Sequence, residues 1–166
     1  CRNVRNMQAS ARVVEGVPLS LEKLPMGSRR YYKYANLSAC EYIYLSRGCV
    51  YNCAFCMERC KGYKTWRSYS VSGSVERIKE AINVFKLREI QIGDACFGFN
   101  KAWRKEFLGE LARRKISTIF WAQTRIDLLD KEDIDLLSKL NFNIEFGVES
   151  GSEEMLFIMG KTNRPK

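Results

Sequence analysis

Histidine is absent from the 166 residues, which removes every mechanism built on an imidazole base, a histidine triad or histidine-ligated zinc within this segment. Proline is scarce, at 3 residues, while 46% of the chain is hydrophobic and 12% aromatic. That composition excludes a collagen-like or disordered chain and predicts a packed core. Long apolar runs are missing too. Runs such as Ile119 to Ala122 fall far short of the roughly 18 residues of a membrane span, and no charged, apolar and small-residue succession marks a secretory signal. The expectation is a cytoplasmic protein with no membrane span. Acidic residues are the minority, 19 against 28 Lys and Arg, for a formal charge of +9. Such a surplus attracts nucleic acid, phosphates or acidic partners, a solvated basic surface being the plainer reading.

The chain is also short for a complete (β/α) barrel, which takes roughly 200 residues or more. It opens on Cys1 and stops at Arg164-Pro165-Lys166 just after a helical pattern begins, so both ends read as cuts through something longer. Residues 1–40 are weakly periodic and read as a linker or the tail of an upstream domain. From residue 41 the pattern is regular. A first strand is expected over Tyr42 to Ser46, followed by a cysteine-rich loop to about Gly73. Ser74 is expected to cap a helix with Glu76 in its first turn, whose stripe is Val75, Ile78, Ala81, Ile82 and Phe85.

Glu89 to Gly93 is the second strand. Asn100 opens a second helix through Lys115, with Trp103, Phe107, Leu108 and Leu111 on one face. Thr118 to Thr124 is the third strand, and Asp130 opens a third helix through Leu140. Asn143 to Val148 is the fourth strand, and Ser150-Gly151-Ser152-Glu153 reads as a capping box for a fourth helix. Strands alternating with helices through short loops call for right-handed crossovers and a parallel sheet. The expected fold class is α/β, a partial parallel (β/α) barrel of about four β/α units.

The fourth strand alternates, with Ile144, Phe146 and Val148 on one side and Glu145, Gly147 and Glu149 on the other. A parallel sheet covered on both faces is apolar throughout, so a polar second face implies a lumen or cleft that holds a ligand. Gln91, and Gln123 leading to Arg125, carry the same signature.

Seven cysteines stand at 1, 40, 49, 53, 56, 60 and 96, an odd and uneven set that suits a metal site better than a disulfide framework. Three of them, Cys49, Cys53 and Cys56, follow the first strand as C-x-x-x-C-x-x-C. Three thiolates from one loop can hold three irons of a 4Fe-4S cluster and leave the fourth iron open to an outside ligand. The plainer alternative uses Cys60 as a fourth thiolate in a closed zinc site. Cys40 and Cys96 read as buried free cysteines.

These residues resemble the radical S-adenosylmethionine (radical SAM) superfamily, over residues 41–166. The resemblance implies that Cys49, Cys53 and Cys56 bind the cluster and that S-adenosylmethionine occupies the open iron. It implies further that Phe55 lies near the adenine, and that Asp94 of Ile92-Gly93-Asp94 replaces the family's Gly-Gly-Glu for the methionyl amine. Gln123, Arg125 and Glu149 are placed in the cofactor pocket on the same basis. The chemistry implied is reductive cleavage of S-adenosylmethionine to a 5′-deoxyadenosyl radical, with a flavodoxin- or ferredoxin-type reductant as partner and an unknown substrate. Residues 41–166 are then the N-terminal part of the radical SAM core, with its C-terminal part missing.

Trp66-Arg67-Ser68-Tyr69-Ser70, the Asp94 to Asn100 turn, Thr124-Arg125-Ile126-Asp127 and Phe146 through Lys161 resemble the cobalamin-dependent class. The Leu21 to Pro25 stretch resembles that class's linker from an upstream cobalamin-binding domain. Methyl transfer to carbon, with cobalamin held by a domain outside this segment, follows from that likeness. Two other readings stand beside it. One is a transfer RNA methylthiotransferase of the same superfamily, although the loop after Cys56 lacks that group's Pro-x-x-Arg-Gly run. The other is a non-catalytic zinc or iron–sulfur module gripping a phosphate backbone with Arg59, Lys61, Lys64 and Arg67; nucleic acid is the less favoured partner.

Overall fold

The structure is a computed structural model, and it describes residues 19–24, 40–61 and 65–162. Four strands, β1 (Cys40–Ile43), β4 (Glu89–Ile92), β5 (Ile119–Thr124) and β6 (Phe142–Phe146), form one parallel sheet in the order β1-β4-β5-β6. Two short strands, β2 (Ser46–Arg47) and β3 (Arg67–Ser68), pair antiparallel beside it. Helices α1 (Val71–Phe85), α2 (Lys101–Arg113) and α3 (Lys131–Lys139) connect the parallel strands, and α4 (Glu153–Ile158) follows β6. This is the expected partial parallel (β/α) arrangement, with every neighbour reached through a helical crossover.

The first strand is shorter than expected and starts earlier. Its ladder stops where Gly93 N–H donates to Ile43 O at 2.9 Å. Beyond that point the Asp94 carboxylate takes over the backbone, accepting from Leu45 N–H at 2.8 Å and Ser46 N–H at 3.0 Å. Ser46 is thus drawn out of the parallel sheet and into the small hairpin with Ser68. Gly48 allows that hairpin to close. Its φ is +85°, and a Cβ there would lie 2.0 Å from Thr65 O.

The α1 cap also differs. Ser70, not Ser74, is the N-cap, its Oγ accepting from Gly73 N–H at 3.1 Å. The apolar stripe reaches one turn further back than the sequence suggested, through buried Val71, so Ser74 lies inside the helix and is itself buried. Glu76 consequently falls outside the first turn and pairs with Arg114 and Lys79 instead. Ser152 rather than Ser150 caps α4, accepting from Met155 N–H at 3.3 Å, and β6 ends at Phe146, before Val148. The expected caps of α2 and α3 stand: Asn100 accepts from Trp103 N–H at 3.0 Å, and Asp130 forms a reciprocal capping box with Asp133.

The core lies between the sheet and the helices. Ile43, Leu45, Ile90, Ile92, Phe120 and Ala122 meet Val75, Ile78, Phe107, Leu108, Leu111 and Leu137. Phe120 stacks on Phe142 with centroids 4.5 Å apart, and Phe97 stacks on Phe142 at 5.7 Å. One charged pair is buried with them. Arg104, 1% exposed, donates to Asp133 Oδ2 at 2.7 Å and to the carbonyls of Gly98 and Leu128 at 2.5 and 2.9 Å. It ties α2 to α3 and to the turn after β4, and truncating either partner would strand a charge at a cost of about 3–5 kcal/mol.

Candidate active site at the strand ends

The C-terminal ends of the parallel strands carry the candidate site, as expected of a βα sheet whose ligands bind at that edge. Cys49, Cys53 and Cys56 line one cavity of about 230 Å³ with Tyr51, Phe55, Cys96, Gln123, Arg125, Glu149 and Lys161. Of the eight residues singled out from sequence, seven therefore meet around one space. The eighth, Asp94, does not line it. Only 3% exposed, Asp94 holds Leu45, Ser46 N–H and Ser46 Oγ (2.6 Å) and lines a neighbouring cavity. Cys60 stands exposed on the turn Met57–Lys61 and is not part of the cysteine cavity.

Three contacts fix the cysteine loop. Ala54 N–H donates to Met159 O at 2.8 Å, joining the loop to the last turn of α4. Arg125 lies 4.1 Å from the centre of the Tyr51 ring and donates to Asp127 and, at 2.6 Å, to Lys161 O. Lys161, on the far side, donates to Gly147 O and to Glu149 at 2.8 Å, with its Nζ 6.0 Å from the centre of the Phe55 ring. Glu149 adopts φ +64°, an unusual left-handed conformation for a non-glycine residue, which turns its carboxylate back toward Lys161.

Electrostatics favour a thiolate at the head of the motif. A hydrogen bond from Cys96 and the Tyr51 N–H draw the Cys49 thiol down to about 6, against the opposing effect of burial. Cys96, as the donor and a buried group, is pushed up. Asp94 rises to about 6 because burial outweighs the donors around it. Cys96 is the buried cysteine expected from sequence, but it shares the cavity of the other three. Lys161, Tyr51 and Cys96 were not singled out as site residues. Lys161 closes a run, Phe146 through Lys161, that carries Gly147 and Glu149, and that proximity was the available signal.

The donor set suits an iron–sulfur cluster: three soft thiols from one loop line one cavity, one of them poised as thiolate, with Arg125 and Lys161 beside them to offset negative charge. Among the described residues no three His, Cys, Asp or Glu side chains close around a single metal ion.

The profile of the Radical SAM superfamily matches residues 43–166. The chain belongs to the radical SAM superfamily. An uncharacterized methyltransferase of Pyrococcus horikoshii is 26% identical over 122 residues, covering 73% of this chain and 27% of that protein. The hopanoid C-3 methylase of Methylococcus capsulatus is 36% identical over 136 residues, 77% of this chain and 25% of its own. The radical SAM methyltransferase TsrM of Kitasatospora setae, solved with tryptophan substrate and a SAM analogue, superposes with a TM-score of 0.66 at 20% identity, over 75% of this chain and 24% of that one. This chain thus spans about a quarter of the length of these relatives. Among the described residues no helix is long and apolar enough to cross a membrane.

Proposed function

We propose that this chain carries the cofactor-binding part of a radical SAM enzyme of the cobalamin-dependent class, transferring a methyl group to carbon. The observation that supports this most directly is the convergence of Cys49, Cys53 and Cys56 with Gln123, Arg125 and Glu149 around one cavity at the strand ends. Cys49, Cys53 and Cys56 would hold a 4Fe-4S cluster there, with S-adenosylmethionine in the adjoining space. When bound, the cluster supplies the one-electron reduction that starts radical chemistry on S-adenosylmethionine.

The protein's own part is to bind, orient and shield. Phe55, half exposed at the cavity, offers an aromatic face to the adenine. Lys161 and Arg125 are cations held in place by Glu149 and Asp127, so they meet an anionic ligand already oriented. Asp94 acts through the backbone of Leu45 and Ser46, setting the course of the chain as it enters the cysteine loop. An upstream cobalamin-binding domain, joined through residues 1–40, supplies the second cofactor in this reading, and a flavodoxin- or ferredoxin-type protein supplies the electron. A cytoplasmic location suits thiols that must remain reduced.

The test is anaerobic reconstitution of the full-length protein. Cys49→Ala, Cys53→Ala and Cys56→Ala are each expected to lose the cluster's iron and its broad visible absorption, and Cys60→Ala to keep both. Equal loss on Cys60→Ala would favour a closed four-thiolate site. A colourless zinc protein that binds nucleic acid with a steep salt dependence, and does not cleave S-adenosylmethionine after reduction, would replace the enzyme by a binding module.

A further inference from the structure

A second cavity, of about 270 Å³, opens on the inner face of the sheet beside the cysteine cavity. Strand register explains its walls. Tyr42, Gln91, Trp121 and Asn143 lie abreast across the four strands, and one step toward the strand ends Gln123 stands opposite Glu145. Gly93 leaves room there for an aromatic ring: a Cβ at that position would lie 2.7 Å from Tyr44 Cε1. The cavity is thus an aromatic and amide-lined slot with Glu145 at one side, and Gln123 lines both it and the cysteine cavity.

Its charge runs against that of the rest of the protein. The chain carries 28 Lys and Arg, yet none lines this cavity among the described residues. Its two carboxylates meet only neutral donors among the described residues: Glu145 accepts from Gln123 Nε2 at 2.7 Å, and Asp94 is taken up by Leu45 N–H, Ser46 N–H and Ser46 Oγ. Tyr42 is 58% exposed, its ring offered to the lumen. At the rim Arg47 shows what such rings accept, its guanidinium 3.8 Å from the centre of the Tyr44 ring. A carboxylate with no cation among the described residues, here Glu145, beside the uncovered ring of Tyr42 attracts a positive group and repels a negative one.

We infer that the substrate of this enzyme carries a positively charged nitrogen on a flat or apolar body, seated between Tyr42 and Trp121 with Glu145 as its counter-ion, and that its reacting end points past Gln123 toward the cysteine cavity. The inference rests on the radical SAM reading above and adds the chemical class of the substrate to it. An anionic substrate of the same shape is repelled by Glu145.

Three probes of matched shape test it on the full-length, cluster-loaded protein by saturation-transfer NMR and titration calorimetry: 2-phenylethylamine, 2-phenylethanol and 3-phenylpropionate. The amine is expected to bind at least about tenfold more tightly than the carboxylate. Glu145→Gln should bring the amine down to the level of the alcohol at unchanged iron content, and Tyr42→Leu should weaken amine and alcohol alike. Equal or tighter binding of the carboxylate, no binding of any probe, or an amine affinity indifferent to Glu145→Gln overturns the assignment. Failure of the wild-type protein to hold iron or to cleave S-adenosylmethionine overturns instead the reading on which it rests.

Discussion

On the helix side of β5, Phe120, Ala122 and Thr124 are shut away from water, while the residues between them, Ile119, Trp121 and Gln123, stand on the lumen side at least partly exposed. The same division runs through β4, where Ile90 and Ile92 are buried and Glu89 and Gln91 are not. One set of backbone hydrogen bonds thus serves two surfaces with different duties. Because α1, α2 and α3 supply apolar partners for one face, the other needs little packing of its own and is free to carry amides, carboxylates and exposed rings. Stability is concentrated on the covered face, and the open one is left to polar and aromatic groups.

That division is open to direct attack, and the largest effect should come from neighbours in sequence. Phe120→Ala, which empties a fully buried stack against Phe142, is expected to lower stability by about 3–5 kcal/mol. Trp121→Ala, removing the larger but part-exposed side chain next to it, should cost about 1–2 kcal/mol. Chemical denaturation of both variants decides the matter, and equal losses would break the comparison.

Asp94 sits where the two faces meet and should show its place through pH. Its acid is favoured in the folded state, at about 6 against a model-peptide value of 3.8, so its contribution to stability is complete below about pH 4 and is lost as pH rises through about 6. The loss amounts to about 3 kcal/mol. Asp94→Asn should flatten that part of the stability profile, and an unchanged profile would remove Asp94 as its source.

The smallest expected effect sharpens the boundary of the covered face at α1. Ser70→Ala should cost about 1 kcal/mol through loss of the cap. Ser74→Ala should be neutral or slightly stabilising, because the Ser74 hydroxyl is buried with no partner among the described residues. Thermal melts of the pair distinguish the two assignments of the helix start.

Elements whose signals are local were legible in the sequence. Asn100 and Asp130 each stand just before an amphipathic run, and both cap as read. Features that depend on distant partners were not. The two-residue strands β2 and β3 are too short to show alternation, and they form because Asp94, far along the chain, captures the backbone of Leu45 and Ser46. Arg104 lies on the helix between Trp103 and Phe107 with nothing in its sequence neighbourhood to mark it as buried; only the fold brings Asp133 and two carbonyls to it.

In the site, the cysteine spacing was a signal in itself, and Gln123, Arg125 and Glu149 followed from the resemblance to the radical SAM superfamily. Lys161 and Cys96 carry no spacing that distinguishes them. Their place in the cavity comes from the α4 turn and the loop after β4 folding back onto it. Asp94 was legible as a strand-end acid, but its full engagement by Leu45 and Ser46 was not.

The bond from Ala54 N–H to Met159 O also sets an order of events during synthesis. The ribosome delivers the chain from its N-terminus, at about 5–20 residues per second, so all three motif cysteines emerge well before the carbonyl that anchors their loop has been made. The nascent loop leaves the tunnel with one end of its scaffold missing and gains its shape only once α4 has been translated and has docked. The anchored form of the loop therefore exists only beside a finished sheet, on the completed fold rather than on the growing chain.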